Sequence, residues 1–199
     1  MVRTVLASNN SSKLKELQHL FADLRIELVA QRELGIGSVA ETGHTFIENA
    51  LQKARHVCAA AGLPAIADDS GLVVDALHGA PGVRSARYAG DGATAAENNA
   101  KLVSELAGCE HRAAYFYCAL VFITQAEDPT PLVATAAWHG HIIDTPRGNN
   151  GFGYDPHFYL NDLGKTSAEL APHEKHGLSH RGQAAAKLRQ KLRHVLAGC

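Results

Sequence analysis

The sequence lacks long hydrophobic runs and has no excess of charge of either sign. Its 199 residues contain no run of about 18 apolar residues, so a membrane-spanning helix is excluded. Nineteen Lys and Arg residues face 20 Asp and Glu residues, which excludes the strongly basic surface that is typical of nucleic-acid-binding domains. The first residues, MVRTVLASNN, also lack the apolar segment of a signal peptide. We therefore expect a cytoplasmic protein that binds neither membranes nor nucleic acid.

Cysteine is also scarce. The four cysteines, Cys58, Cys109, Cys118 and Cys199, form no CxxC pair, and such scattered residues are typical of reduced thiols in a cytosolic protein. With 46% hydrophobic residues the chain can bury a core, and this excludes intrinsic disorder. No repeat, low-complexity tract or linker divides the sequence, so we predict a single domain over residues 1–199.

Strands and helices alternate along the first part of the chain, and two long strands follow one another in the second part. Strands are predicted at residues 3–7, 26–30, 64–67, 115–124, 132–143 and 157–160, with a short strand or turn at 71–77. Helices are predicted after residue 13, at 45–61, at 94–106 and from 180 onward. The strand at 132–143 is expected to break near Gly140. This pattern predicts a mixed α/β sheet wrapped by helices, with a hairpin at 115–143.

A polar turn joins the first strand to the first helix. It comprises Ser8, Asn9, Asn10, Ser11 and Ser12, followed by Lys13. A helix N-terminus presents free N–H groups and a partial positive charge, so it can bind an anion such as phosphate. The phosphate-binding pattern GxxxxGK[ST] is absent, and a well-capped helix with an exposed lysine remains the alternative.

Two adjacent carboxylates, Asp68 and Asp69, follow the predicted strand PAIA and precede Ser70. Ligands of α/β enzymes bind at the carboxyl ends of strands, and neighbouring strand residues point to opposite faces. We therefore expect one aspartate to face the site while the other braces the structure. Mg²⁺ takes one or two carboxylates and keeps waters and substrate phosphates, and Glu41 is a plausible further ligand. A solvated turn is the alternative.

The glycine-rich stretch GNNGFGYDP, residues 148–156, is a candidate base-binding loop. Glycines allow a close approach of the backbone to a ligand. Phe152 and Tyr154 are able to stack on a planar base, and Asp155 to accept a hydrogen bond from a ring N–H. A long glycine-rich connection without a binding role is the alternative.

The last candidate site lies at the start of the final helix. Lys175, His180 and Arg181 are hydrogen-bond donors of the kind that a purine carbonyl requires. A zinc site formed by His173, His176 and His180 is the alternative, which the lack of a clear fourth ligand disfavours.

The order of these motifs is more specific than any one of them. The sequence resembles the inosine triphosphate pyrophosphatase family over nearly the whole chain. The matching segments are ASNNSSKLKEL, ETGHTFIENALQKA, PAIADDSGL, GAPGVRSARYAG, GFGYDPHF and SHRGQA. The opening loop departs from the family pattern, since Ser8 and Asn9 replace Thr and Gly, whereas Asn10 and Lys13 are kept.

The resemblance implies a mixed, elongated twisted sheet flanked by helices, with two lobes and the active-site cleft between them, and a homodimer. It also implies that Glu41 and Asp69 hold Mg²⁺, that Asp68 assists, and that Asp69 accepts a proton. Lys53 is expected to reach the phosphate tail. The remaining implied substrate-binding residues are those of the opening turn (Ser8, Asn9, Asn10, Ser11, Ser12 and Lys13), Ser70, and the base pocket formed by Phe152, Gly153, Tyr154, Asp155, Lys175, His180 and Arg181.

The activity implied by the resemblance is Mg²⁺-dependent hydrolysis of deaminated purine nucleoside triphosphates (ITP, dITP and XTP) to the monophosphate and pyrophosphate. Donors in the base pocket would favour a 6-oxo purine over adenine, whose 6-position carries an amino group. Two other hypotheses remain: a related pyrophosphatase with another base preference, and a nucleotide sensor without catalysis. The acidic residues argue against a sensor, because carboxylates repel a triphosphate unless a cation lies between them.

Overall fold

The computed structural model describes residues 1–8 and 11–196, and within the helices it leaves out the side chains of Ser11, Ser12, Lys15, Glu16 and Leu196. The expectations for Asn9, Asn10 and Cys199, and for the side chains of Ser11 and Ser12, therefore lie outside the described residues.

The described chain forms one seven-stranded sheet with helices. The strands are β1 (Val2–Leu6), β2 (Ile26–Ala30), β3 (Ala65–Val74), β4 (Ala113–Ile123), β5 (Leu132–Ile142), β6 (Phe158–Leu160) and β7 (Lys165–Thr166). The helices are α1 (Ser11–Leu20), α2 (Phe46–Ala61), α3 (Ala95–Glu105), α4 (Pro172–Leu178) and α5 (His180–Leu196).

The sheet is mixed, as the sequence predicts. Its strand order is β2-β1-β3-β4-β5-β6-β7. The strand β1 pairs in parallel with both β2 and β3, whereas β6 pairs antiparallel with β5 and β7. The strands β4 and β5 are neighbours, in agreement with the strand pair expected at 115–143.

Sequence signals at both ends of α2 explain its bounds. The hydroxyl of Thr45 accepts a hydrogen bond from the backbone N–H of Glu48, and the Glu48 carboxylate accepts one from the N–H of Thr45. This reciprocal cap satisfies N–H groups that have no partner within the helix. At the other end, Gly62 takes the left-handed conformation with φ of 65°, which glycine adopts at little cost.

Two strand predictions were wrong in their bounds. The strand that was predicted to end at Asp68 and Asp69 continues to Val74, because both carboxylates are paired with lysines and are therefore tolerated inside the sheet. The strand β5 is not broken at Gly140. A Cβ atom at Gly140 would lie 2.5 Å from the carbonyl oxygen of Tyr159, so this glycine allows β6 to approach closely.

The chain divides into two compact units, and the boundaries fall within β3, β4 and β5 and after the first residue of α5. The first unit comprises residues 1–69, 118–136 and 181 onward, and the second comprises residues 70–117 and 137–180. The prediction of a single domain over residues 1–199 stays a prediction.

The core of the first unit lies between its strands and the helices α1 and α5. Leu6, Leu17, Leu120 and Leu188 are fully buried within it. The packing of α5 is reinforced at its polar edge, where Lys187 Nζ donates to the carbonyl of Thr135 at 2.8 Å.

The second unit has its own core. Leu72, Leu102, Trp138 and Phe158 are buried there, and the rings of Trp138 and Phe158 are 5.6 Å apart. None of the helices in the described ranges combines the length and the apolarity that crossing a membrane requires. Cys58, Cys109 and Cys118 are free thiols, as predicted.

The substitution Leu188→Ala tests the core of the first unit. We expect it to lower the free energy of unfolding by about 2–5 kcal/mol, because it removes a fully buried side chain and leaves a cavity. Urea denaturation measures the change. Leu163→Ala, at a side chain that is 44% exposed, is the control, and an equal loss in both variants would contradict the assignment.

Candidate functional site

Asp68 lies at the centre of a buried cluster of charges. It is 1% exposed, and its Oδ2 atom lies 2.7 Å from Lys13 Nζ and 3.6 Å from Arg181 Nε. Burial acts to raise the pKa of Asp68, but the nearby cations, Lys13 foremost, outweigh it and hold the pKa well below its usual range. Asp68 is therefore a carboxylate that holds a lysine from α1 and an arginine from α5 in fixed positions.

Asp69 has a separate set of partners. Its Oδ1 atom accepts a hydrogen bond from Lys53 Nζ at 2.8 Å, and its Oδ2 atom accepts one from Asn49 Nδ2 at 3.3 Å. Lys53 Nζ also donates to Glu41 Oε1 at 2.7 Å. One ammonium group thus holds together two carboxylates that are 28 residues apart in the sequence.

Helical spacing explains how α2 supplies two of these partners. Asn49 and Lys53 are four residues apart, so they lie on the same face of the helix. Asn49 is 1% exposed, and its Oδ1 atom accepts a hydrogen bond from the backbone N–H of Gly43 at 2.8 Å. A Cβ atom at Gly43 would lie 2.8 Å from that oxygen, so glycine is needed where the chain enters α2.

The alternation of side chains along β3 accounts for the two sets of partners. Asp68 contacts side chains from α1 and α5, whereas Asp69 contacts side chains from α2. The two aspartates thus have different hydrogen-bond and ion-pair partners, and Lys53 brings Glu41 and Asp69 together. The expectation that one aspartate faces the site while the other braces the structure stays a prediction.

Burial changes the acidity of the second cluster. It raises the pKa of Asp69, and the negative charge of Glu41 adds to that rise, although Lys53 opposes it. For Lys53, burial acts to lower the pKa, but the surrounding carboxylates, Asp69 foremost, outweigh it and raise that pKa. Asp69 is therefore a stronger base than an exposed aspartate, and Lys53 remains an ammonium ion.

A cavity of about 240 Å³ joins parts of both clusters within the first unit. Four charged side chains line it: Lys13 and Asp68 from one cluster, and Lys53 and Glu41 from the other. The remaining lining residues are Ala7, Ser8, Gln31, Ser38, Val39, His56 and Val57. The predicted opening turn is represented here by Ser8 and Lys13.

The arrangement around Lys53 fits a hard divalent cation. Its ammonium group already lies between oxygen atoms of Glu41 and Asp69, at 2.7 and 2.8 Å. Within residues 1–8 and 11–196, no three His, Cys, Asp or Glu side chains form a group able to hold a metal ion. Two carboxylates suffice for Mg²⁺, which keeps several waters and binds substrate phosphates.

The second unit contains the glycine-rich loop. The ring of Phe152 is 55% exposed, and Lys175 Nζ lies 5.3 Å from its centroid. Lys175 also pairs with Asp155, whose carboxylate accepts hydrogen bonds from the backbone N–H of Phe152 and the hydroxyl of Ser167. Asp155 is 2% exposed, so it braces the loop and orients Lys175 beneath an exposed aromatic ring.

The two aromatic residues of the loop differ in what they can do. Tyr154 is 4% exposed, and its hydroxyl donates to the carbonyl of Ser85 at 2.8 Å. Its ring is packed in the core of the second unit. Phe152 is therefore better placed than Tyr154 for the base stacking predicted for this loop.

His180 and Arg181 begin α5 and have different surroundings. The ring of His180 stacks on that of Phe116, with centroids 4.9 Å apart, whereas Arg181 lies beside Asp68. The described residues give no support to a zinc site at His173, His176 and His180, since they hold no metal-binding group of three.

The sequence interpretation missed three residues: Asn49 at the Asp69 cluster, Ser167 beneath Asp155, and Phe116 beneath His180. A signal was available only for Asn49, which lies one helical turn before Lys53 in the predicted helix 45–61. Ser167 lies in a turn 12 residues after Asp155, Phe116 lies in the distant strand β4, and no local pattern marks either of them.

Comparisons with known proteins point to one family. The sequence pattern of the Ham1 family matches residues 4–191. A dITP/XTP pyrophosphatase of Ralstonia nicotianae is 55% identical over 196 residues, which are 97% of this chain and 98% of that protein. One of Bordetella parapertussis is 56% identical over 194 residues, or 96% of this chain and 91% of that protein. The structure of a HAM1 protein from Coxiella burnetii has a TM-score of 0.94 and 49% identity, and the match covers 98% of this chain and 100% of that one.

The substitution Asp68→Asn tests whether this carboxylate holds its cluster together. We expect a loss of about 3–5 kcal/mol in the free energy of unfolding at pH 7, because Lys13 and the buried Arg181 lose the charge between them. Urea denaturation measures it, with the exposed Asp162→Asn as the control. A loss no greater than that of the control would mean that Asp68 does not hold these cations.

Proposed function

The chain belongs to the Ham1 family, and we propose that it hydrolyses deaminated purine nucleoside triphosphates to the monophosphate and pyrophosphate. The relatives from Ralstonia nicotianae and Bordetella parapertussis carry the name dITP/XTP pyrophosphatase, and the family resemblance inferred from the motifs is confirmed. One observation carries the proposal. Lys53 pairs with both Glu41 and Asp69, and Lys53 and Glu41 line the same cavity as Lys13.

The polyphosphate is assigned to the cations of this cavity. Lys13 lies in the first turn of α1, whose N-terminus carries a partial positive charge. Together with Lys53 it would neutralise the charge that builds up on the leaving pyrophosphate. Fixed charges of this kind lower the barrier because they need not reorganise during the reaction. Asp68 keeps Lys13 oriented for that role.

We assign Mg²⁺ to Glu41 and Asp69, with Asp68 assisting through Lys13. When bound, the ion supplies Lewis-acid charge stabilisation to the phosphate oxygens. Lys53 already bridges the two carboxylates. Lys53 also lines the cavity, so it would be able to exchange these carboxylates for a phosphate oxygen once a substrate is present.

Asp69 is assigned as the general base. A water molecule attacks the α-phosphorus, its proton passes to Asp69, and the bond between the α-phosphorus and the pyrophosphate oxygen breaks. The raised pKa of Asp69 suits this role, because a stronger base takes the proton of water more readily. Asn49 holds the other carboxylate oxygen and fixes the direction of the group.

The base is assigned to Phe152, Lys175, His180 and Arg181, with Ser70 as a further substrate contact. The exposed ring of Phe152 provides a stacking surface, worth about 1–3 kcal/mol per base. Donor groups such as the Arg181 guanidinium can donate a hydrogen bond to the oxygen at position 6 of a 6-oxo purine. With adenine, the same donors would face the 6-amino group, which is itself a donor. Discrimination of this kind reaches about 10⁴-fold in sites whose polar groups would otherwise stay unpaired.

The alternatives are a related pyrophosphatase with another base preference and a sensor without catalysis. A sensor has no use for a base positioned by Asn49, so the Asp69 cluster favours an enzyme. We also propose that the enzyme acts as a homodimer in the cytoplasm, which gel filtration with light scattering and cell fractionation test.

The reaction products decide between these hypotheses. Incubated with Mg²⁺ and ITP, dITP, XTP, GTP or ATP, the enzyme should release pyrophosphate from the first three and little from ATP, because only adenine places an amino donor at position 6. Ion chromatography separates pyrophosphate from orthophosphate, and EDTA should abolish the release. Orthophosphate alone would show cleavage at the γ-phosphate and contradict the proposed reaction.

Substitution of the proposed base gives a second test. Asp69→Asn should lower kcat for ITP by about 10²–10⁴-fold, the usual contribution of general-base catalysis, because the amide cannot accept the proton. The Asp162→Asn variant is the matched control, and thermal melting verifies that both variants are folded. Turnover near that of the unmodified enzyme would remove Asp69 from the mechanism.

A further inference from the structure

Asn99 of α3 contacts the glycine-rich loop, although it belongs to none of the motifs described above. We propose that Asn99 is a positioning residue that sets base selectivity, because it fixes the direction in which the peptide between Gly153 and Tyr154 presents its N–H group. This inference rests on the proposed function and assigns the loop a specific hydrogen-bond donor.

The contact is a single hydrogen bond across 54 residues of sequence. Asn99 Nδ2 donates to the carbonyl oxygen of Gly153 at 2.9 Å. The other atom of that peptide unit that can form a hydrogen bond is the N–H of Tyr154, which finds no acceptor among residues 1–8 and 11–196. Within the described residues, the bond to Asn99 is therefore the only hydrogen bond that holds this peptide.

Peptide geometry then fixes the direction of the Tyr154 N–H. In a planar trans peptide the C=O and N–H groups point to opposite sides. Because Asn99 engages the C=O, the N–H points away from α3 as an unpaired donor. It belongs to the second residue after Phe152, whose exposed ring is proposed to stack on the base. An oxygen at position 6 of a purine is a suitable acceptor for it.

Glycine leaves the direction of this peptide to its hydrogen bonds. Gly153 has a φ of +61° and nothing within 4 Å of the place where a Cβ atom would be, so its side of the peptide can turn with little steric penalty. A complete reversal is excluded, because it would carry Tyr154 from its φ of −87° to a positive φ. A smaller turn is enough to move the N–H of Tyr154 away from an oxygen at position 6, so the bond to Asn99 decides whether this donor is presented.

The buried amide oxygen of Asn99 supports the assignment. Asn99 Oδ1 is buried and has no hydrogen-bond partner among the described residues, an arrangement that is unfavourable by itself. Turning the amide over would bring that oxygen against the carbonyl of Gly153. The donor atom must therefore point at Gly153.

Asn98, the preceding residue, provides a matched control. Its Oδ1 atom accepts a hydrogen bond from the N–H of Ala89 at 2.7 Å, and its Nδ2 atom donates to the carbonyl of Ala86 at 3.2 Å. It thus carries the same side chain on the same helix, but it holds the segment at 86–89 and not the glycine-rich loop.

The test compares Asn99→Asp with Asn98→Asp. Each substitution keeps the shape of the side chain, adds one negative charge and removes one donor. We would measure kcat/KM for ITP and for ATP at pH 8.5, where the introduced carboxyl is ionised, and verify folding by thermal melting. Asn99→Ala, which removes the donor without adding an acceptor, forms the third variant.

The ratio of kcat/KM for ITP to that for ATP is the deciding quantity. We expect Asn99→Asp to lower it by at least about tenfold, because the carboxylate repels the carbonyl of Gly153 and so turns the N–H of Tyr154 away from the oxygen at position 6. Asn99→Ala should lower the ratio less, and Asn98→Asp should leave it unchanged. An unchanged ratio in Asn99→Asp, or an equal fall in Asn98→Asp, would overturn the inference.

If a variant turns over too slowly for kcat/KM to be measured, the binding of the nucleoside monophosphate products gives the same comparison. Calorimetric titration with IMP and AMP should give a lower ratio of the IMP to the AMP association constant in Asn99→Asp than in the unmodified enzyme, and an unchanged ratio would again overturn the inference. Failure of the unmodified enzyme to release pyrophosphate from ITP would contradict the proposed function. Release of pyrophosphate with unchanged selectivity in Asn99→Asp would contradict only the role of Asn99.

Discussion

The pairing of two adjacent strand carboxylates with lysines from two different helices is the interaction on which the site depends. Asp68 and Asp69 occupy neighbouring positions in a sheet, where unpaired charges would be prohibitively costly to bury. Lys13 of α1 compensates Asp68, and Lys53 of α2 compensates Asp69. The same contacts that make the carboxylates tolerable also arrange the cations around the cavity, so stability and chemistry rest on one set of ion pairs.

The second unit uses the same principle for a different purpose. Asp155 is buried, and Lys175 neutralises it while the backbone of the loop and Ser167 satisfy its oxygens. The result is a glycine-rich loop with one exposed ring and a cation beneath it. Glycine supplies the close approach of backbone segments, and the buried carboxylate removes the mobility that so much glycine would otherwise bring.

The sequence alone predicts those parts of the fold that local patterns control. The cap formed by Thr45 and Glu48, the stop at Gly62 and the long apolar strands follow from neighbouring residues. The extent of β3 does not, because a carboxylate within a strand is plausible only when its partner is known, and Lys13 is 55 residues away from Asp68. The burial of Tyr154 is hidden for the same reason, since its partner Ser85 lies 69 residues earlier.

The candidate site, too, could be predicted from the sequence only in part. Motifs and their order indicate which residues belong to it, but only the folded chain reveals that Asn49 orients Asp69 and that Asn99 reaches Gly153. Such residues hold others in place, and the sequence patterns that surround them are those of an ordinary amphipathic helix.

Because β3 runs without a break through Asp68 and Asp69, it does not tolerate a change in its length. Side chains alternate with a period of two along a strand, so one inserted or deleted residue before Asp68 would shift every following side chain to the other face. Each side chain would then lie on the opposite face of the sheet. One of the two lysines would contact Ala67 or Ser70 in place of a carboxylate. A change of length within β3 would therefore break one of the two ion pairs, whereas a surface connection such as residues 124–131 tolerates insertions.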